Sequence, residues 1–266
     1  MDTLDGRTIV VTGAAGGLGA AQVTRLASLG AKVVAVDVDL PALEEFTAGI
    51  TDVSTPVRPR RLDVADPASW HALRDELESD GGTLEGLVNT AGIGVPGTLA
   101  SVSLEDWNRA LAVNLTGAML GMQTMAPLMP AGASIVNIGS VAGLIGHHNV
   151  AYGSAKWALR GLSKAAAVEL GSRGVRVNVV HPGLFDTPLG MRGDPRYKRA
   201  HLGATPLGRP GQPGELADLV AFLLSPTSGY LTGTEIALDG GFSGHAGSMP
   251  NFVALGIGDW NTDSGS

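Results

Sequence analysis

Seven short apolar runs, each followed by a stretch with helical periodicity, constrain this chain more than any other feature. They are TIVVTG at 8, KVVAVD at 32, RRLDV at 60, LEGLVNTAG at 84, SIVNIGS at 134, VRVNVVHPG at 175 and TEIALDGG at 234. Largely β-branched and apolar on two sides, such runs suit strands whose sheet is covered by helices on both faces. The alternation predicts an α/β fold: one doubly wound parallel sheet of about seven strands, flanked on each side by helices.

At 266 residues, one domain over residues 1–241 accommodates all seven runs, with 242–266 left as a glycine-rich tail or arm. A net charge of −7 gives no footprint for nucleic acid or an anionic membrane. Cysteine is absent, so neither a disulfide framework nor a thiolate metal site is expected, which fits a cytoplasmic location. No apolar stretch approaches the about 18 residues of a membrane span, and the acidic MDTLDGR opening lacks the basic start of a secretion signal.

The segment VTGAAGGLG joins the first run to the first helical stretch. Glycines there serve an anion site at a helix N-terminus, where free backbone amides and the helix dipole meet a pyrophosphate. Gly13 makes the turn, Gly17 admits close backbone approach and Gly19 permits tight packing, as in a Rossmann dinucleotide fold, with Leu18 between them a further candidate for contact with the cofactor. Asp37 ends the second run, placed for its carboxylate to accept hydrogen bonds from the adenosine ribose hydroxyls. The same charge repels a 2′-phosphate, and Ala14-Ala15-Gly16 offers no cation to attract one, so the expected cofactor is NAD.

Residues 151–170 read as a helix, which places Tyr152 and Lys156 one above the other on one face. A free phenol titrates near 10, and a neighbouring ammonium stabilises the phenolate. Tyr152 can then exchange a proton with a substrate oxygen.

Taken together, Thr12-Gly13 with Gly17 and Gly19, NTAG at 89–92, Asn114 in VNLTG, Ser140 in NIGS, Tyr152-x-x-x-Lys156 and HPGLFDTPL at 181–189 resemble the short-chain dehydrogenase/reductase family over residues 5–241. The resemblance implies roles. Tyr152 is the acid/base, Lys156 binds the nicotinamide ribose and lowers the phenol's pKa, Ser140 holds the substrate oxygen, and Asn114 holds a relay water. Asp63 and Val64 lie beside the adenine, while Asn89, Ala91 and Gly92 form a turn under the cofactor. Thr187, after Pro182-Gly183, binds the nicotinamide carboxamide, and Pro182 and Gly183 are also placed among the cofactor contacts. A homotetramer is also implied, with Trp157 and Leu159 at a helix-pairing interface. Within the family, the chain looks most like hydroxysteroid dehydrogenases of the 3α,20β type and alicyclic alcohol dehydrogenases. The expected activity is NAD-dependent interconversion of a secondary alcohol and a ketone on an apolar cyclic substrate.

Twelve positions separate Ser140 from Tyr152, one fewer than the family spacing, so the intervening loop is short. His147, His148, Leu184 and Phe185 are candidates for the substrate pocket. Adjacent histidines rarely share one ion, so no metal is expected. Residues 190–211 could close over substrate as a lid. Reduction of a 3-oxoacyl thioester is the rival reading, opposed by Asp37 and the acidic charge. A non-catalytic nucleotide-binding scaffold is the reading from another class.

Overall fold

In the computed structural model, residues 4–255 are described, apart from 52, 189, 191, 193 and 246. Leu189 and the last tail residues, including Ile257, lie outside the described residues. Seven strands form one sheet: β1 (Thr8–Thr12), β2 (Lys32–Asp37), β3 (Arg58–Arg61), β4 (Gly86–Asn89), β5 (Ser134–Ile138), β6 (Arg176–Pro182) and β7 (Glu235–Leu238). Every pairing is parallel, in the order β3-β2-β1-β4-β5-β6-β7. The third strand covers Arg58–Arg61, earlier than the RRLDV run; the Leu62 amide donates a last bond to the Asp37 carbonyl before the chain turns at Asp63.

The helices are α1 (Gly17–Ser28), α2 (Leu40–Ala48), α3 (Pro67–Ser79), α4 (Leu104–Leu111), α5 (Gly117–Met125), α6 (Val150–Gly171), α7 (Pro195–Gly203), α8 (Pro213–Leu224) and α9 (Met249–Ala254). Successive strand residues point to opposite faces, so each strand feeds two cores. Ile9 and Val11 pack with α1, α2 and α8, whereas Val10 packs with α3, α5 and the C-terminal part of α6. This two-sided burial is the physical reason the central strand positions are apolar, as at residues 9–11 and 33–36. Among the described residues, no helix is long and apolar enough to cross a membrane.

Trp70 shows how packing reaches the site. Fully buried in α3, it donates from Nε1 to the Val64 carbonyl at 3.0 Å, pinning the segment after β3. A Cβ on Gly121 of α5 would stand 2.8 Å from the indole, so only glycine fits opposite. Truncating Trp70 to Ala costs about 3 to 5 kcal/mol through the cavity left behind.

Behind the β4 and β5 ends, Asn89 Nδ2 donates to Asn137 Oδ1 at 2.8 Å, and Asn137 Nδ2 donates to Ser163 Oγ on α6 at 2.8 Å. The register pairs Asn89 with Asn137 directly. A satisfied buried polar chain of this kind fixes α6 against the sheet.

Candidate active site

Strand order reverses between β1 and β4, where the two halves of the sheet diverge and a crevice opens at the strands' carboxyl ends. The groove there has a volume of about 370 Å³ and is lined by Gly13, Gly17, Asp37, Ala91 and Thr187, among others. Its floor is a cradle that side chains would fill. Gly13 has φ of 66°, and a Cβ there would stand 2.8 Å from Ala91 Cα; one on Gly19 would lie 2.1 Å from the Gly13 carbonyl oxygen. The cradle opens at the N-terminus of α1, whose free amides suit a pyrophosphate, so the residues fit a dinucleotide.

Asp37 braces this loop as well as lining it. Its Oδ2 accepts from the Ala15 amide at 3.0 Å, and Oδ1 accepts from the Asp39 amide. Across the crevice, Thr12 Oγ1 accepts from the Thr90 and Ala91 amides, each at 3.0 Å, and thereby shapes the turn after β4. Thr12 was legible only as part of the Thr-Gly pair. Arg192 also lines the groove and had no sequence signal.

Asp63 caps its own turn, accepting from the Ala65 amide, and Val64 packs against Gly117. Pro182 ends β6 and Gly183 abuts Asp239. Thr187 is buried at the groove, with Oγ1 accepting from the Gly190 amide at 2.9 Å.

Asn114 lies in a π-helical turn, Ala112–Thr116, wedged between α4 and α5. Its Oδ1 accepts from the Ile93 amide, and Nδ2 donates to the carbonyls of Ile93 and Ala110, both at 3.0 Å. The side chain is therefore a clamp on the turn after β4. A Cβ on Gly92 would meet Asn114 Oδ1 at 2.8 Å and Lys156 Nζ at 3.6 Å, so only a glycine lets the turn after β4 approach both polar ends this closely.

α6 begins two residues before Tyr152. Lys156 is 4% exposed, and its Nζ donates to the Ile138 carbonyl at 2.8 Å. Burial lowers its pKa to about 8. Burial also raises the Tyr152 phenol, while a hydrogen bond with Ser140 pulls the other way. Among the chain's own groups, burial thus outweighs Ser140 in setting the phenol, and Tyr197 adds to the upward shift. Ser140 ends the β5 strand segment and caps a short 3-10 turn, its Oγ accepting from the Ala142 amide.

The short loop carries its histidines directly to the phenol. His147 meets the Tyr152 ring edge-on at 5.9 Å and stacks on His148 at 4.5 Å; His148 in turn meets Tyr197 of α7 at 5.4 Å. Tyr197 contacts His201, which stacks on Phe242 at 3.9 Å. The start of the tail therefore folds back onto α7, with His245 Nε2 donating to the Ala204 carbonyl. Tyr197 and His201, four apart on a helix, were the readable but unread members of this wall.

Two pocket expectations need correction. Phe185 is 4% exposed and packs in the core against Gly211. A backbone bridge between those two residues turns the ring inward. Leu184 lines a separate small cavity with Leu207 and Gly240. The interface expectation for Leu159 also fails, since it is 1% exposed within its own chain; Trp157 is 48% exposed.

A family profile described as enoyl-(acyl carrier protein) reductase matches residues 13–243. Trans-4-hydroxycyclohexanecarboxylate dehydrogenase of Sinomonas cyclohexanicum is 41% identical over 251 residues, covering 90% of this chain and 94% of the relative. The 3-alpha-(or 20-beta)-hydroxysteroid dehydrogenase of Mycobacterium tuberculosis is 41% identical over 243 residues, covering 90% of each. A solved short-chain dehydrogenase/reductase from Serratia marcescens superposes with a TM-score of 0.85 at 34% identity, covering 90% of this chain and 99% of the other. The chain belongs to the short-chain dehydrogenase/reductase family. It is an oxidoreductase of the alcohol dehydrogenase and ketoreductase kind.

Proposed function

We propose that the protein is an NAD-dependent dehydrogenase that interconverts a secondary alcohol and a ketone on an apolar cyclic substrate. The observation that carries this reading is the buried Lys156, its Nζ held by the Ile138 carbonyl, one helical turn from the half-buried Tyr152, whose ring centroid lies 5.7 Å from that Nζ. When bound, the nicotinamide supplies the hydride acceptor or donor. Gly13, Gly17 and Gly19 would hold its pyrophosphate, Asp37 its adenosine ribose and Thr187 its nicotinamide end.

In oxidation, the Tyr152 phenolate takes the hydroxyl proton while Ser140 hydrogen-bonds the same substrate oxygen. Burial disfavours the charged form of each member alone, so a phenolate beside the ammonium would relieve both costs. Asn114 and Lys156 both come close to Gly92, which suits a water held between them as a proton relay. Asp37 argues for NAD, since its carboxylate would repel a 2′-phosphate.

The relatives named for a hydroxycyclohexanecarboxylate and for hydroxysteroids support a cyclic substrate. The wall of His147, His148 and Tyr197 would offer hydrogen-bonding edges to such a substrate beside Tyr152. Trp157 and Val168, eleven positions apart on α6 and so on one face, are both exposed. They suit pairing of α6 with a second copy in a homotetramer, which sedimentation would test.

The functional test is NADH or NADPH formation by purified protein with cyclohexanols, hydroxysteroids and a 3-hydroxyacyl thioester, each run with NAD and with NADP. Turnover of a cyclic alcohol with NAD is expected. Thioester turnover with NADP would overturn the reading.

A further inference from the structure

His181 lies on β6, fully buried, directly behind Ser140. Its Nδ1 is 3.3 Å from the Ser140 amide nitrogen and 3.0 Å from the Ser140 carbonyl oxygen. A Cβ on Gly139 would stand 2.5 Å from the same Nδ1, so a glycine before Ser140 is what lets the ring in. At the far side of the ring, Nε2 faces Glu235 Oε2 on β7 at 3.4 Å.

Glu235 is itself fixed from α6. Arg160 Nε reaches its Oε2 at 2.5 Å and Lys164 Nζ reaches its Oε1 at 2.6 Å. Burial works to raise the Glu235 carboxyl, but these two hydrogen-bonded cations outweigh it and hold the pKa at about 2. Arg160 also donates to the Gly143 carbonyl at 2.9 Å, in the turn that Ser140 caps. Tyr152, Lys156, Arg160 and Lys164 are spaced four apart, one stripe of α6. One end of the stripe carries the proton-transfer pair and the other holds the carboxylate behind Ser140.

Two neutral tautomers of His181 are available, and the surroundings choose between them. With the proton on Nδ1, the ring would donate to the Ser140 carbonyl, which already accepts from the Gly143 amide at 2.8 Å. The Ser140 N–H would lose its acceptor, and a bare Nε2 lone pair would face the Glu235 carboxylate in a dry site. With the proton on Nε2, the ring points a donor at Glu235 and offers Nδ1 to the Ser140 N–H. That arrangement gives the Ser140 N–H its acceptor and sets the Nε2 proton against the carboxylate, a favourable electrostatic contact at 3.4 Å although Nε2 makes no well-aligned hydrogen bond there. Burial keeps the ring neutral by lowering its pKa.

We infer that His181, held in its Nε2–H tautomer by Glu235, is a positioning residue that fixes the backbone of Ser140 and so aims its hydroxyl at the substrate oxygen. The inference rests on the catalytic reading of Ser140. His181 touches neither substrate nor cofactor in this role and acts through the serine.

Nitrogen-15 NMR of the histidine side chains in the intact protein reads the tautomer directly. The His181 ring is expected with its proton on Nε2 across neutral pH. A proton on Nδ1, or an imidazolium, would overturn the inference. A double-mutant cycle then tests the coupling. His181→Asn, which keeps an acceptor near Nδ1 but loses the reach to Glu235, should lower kcat by about tenfold with KM for NAD unchanged, and should have less than about a twofold effect in a Ser140→Ala background. Additive losses would contradict action through Ser140. Full turnover by Ser140→Ala alone would instead overturn the catalytic reading of the site, a result separable from the tautomer, which reports on His181 by itself.

Discussion

Lys156 Nζ lies 5.7 Å from the centroid of the Tyr152 ring while donating to the Ile138 carbonyl, so the ammonium is buried with one protein hydrogen bond beside the phenol it serves. This placement suits catalysis and works against stability. The folded-state pKa of about 8 lies below the ordinary 10.5, so folding is penalised while Lys156 is charged. The penalty is fully present below pH 8, fades between 8 and 10.5, and is absent above.

Lys156→Met should therefore stabilise the protein at pH 7 while abolishing turnover. Removing the buried charge returns about 3 kcal/mol, and orphaning the Ile138 carbonyl takes back about 1 kcal/mol or more. Thermal unfolding at pH 7 and at pH 10 checks this: the gain should shrink at the higher pH. A loss of stability at pH 7 would contradict the assignment of burial as the dominant effect.

Ser140 lowers the phenol that burial raises. Ser140→Ala removes this support, so the rate of alcohol oxidation, which requires the phenolate, should rise only at higher pH than in the parent protein. Profiles of kcat against pH for the two proteins would expose the displacement. An unshifted limb would place Ser140 away from the phenol.

Gly19 and Gly16 make a controlled pair within one loop. A Cβ at Gly19 would lie 2.1 Å from a backbone oxygen, whereas a Cβ at Gly16 meets nothing within 4 Å. Gly19→Ala should cost several degrees in Tm and about tenfold or more in NAD affinity, while Gly16→Ala leaves Tm unchanged. Calorimetry and NAD titration separate the two.

Asp37→Asn keeps one acceptor, enough for the Ala15 amide of the glycine loop but not also for the Asp39 amide, and removes the charge. The ratio of kcat/KM for NAD over NADP should fall by about tenfold or more, because repulsion of a 2′-phosphate disappears with the carboxylate. An unchanged ratio would assign cofactor choice elsewhere in the groove.

The sheet was legible because its runs are short, apolar on both faces and spaced by helices; KVVAVD matches β2 residue for residue. The third strand was offset because RPRR carries no apolar signal, and only its ladder with β2 makes it a strand. Local spacing exposed the glycine cradle and the Tyr152-Lys156 pair, since both depend on contacts within one loop or one helix. The wall from Tyr197 to Phe242 and the link from Glu235 through His181 to Ser140 join residues tens of positions apart. No local period records such contacts. Phe185 was misplaced for the same reason: its burial depends on a bridge to Gly211 that the sequence does not announce.

The most direct measurement is NADH formation from a cyclic secondary alcohol by the parent protein and by Tyr152→Phe, with NAD binding followed in parallel. Loss of the hydroxyl alone should lower kcat by about 10³-fold, within the range of general acid–base catalysis, and leave NAD affinity unchanged. Turnover by Tyr152→Phe at the parent rate would contradict the central claim that this phenol moves the substrate proton.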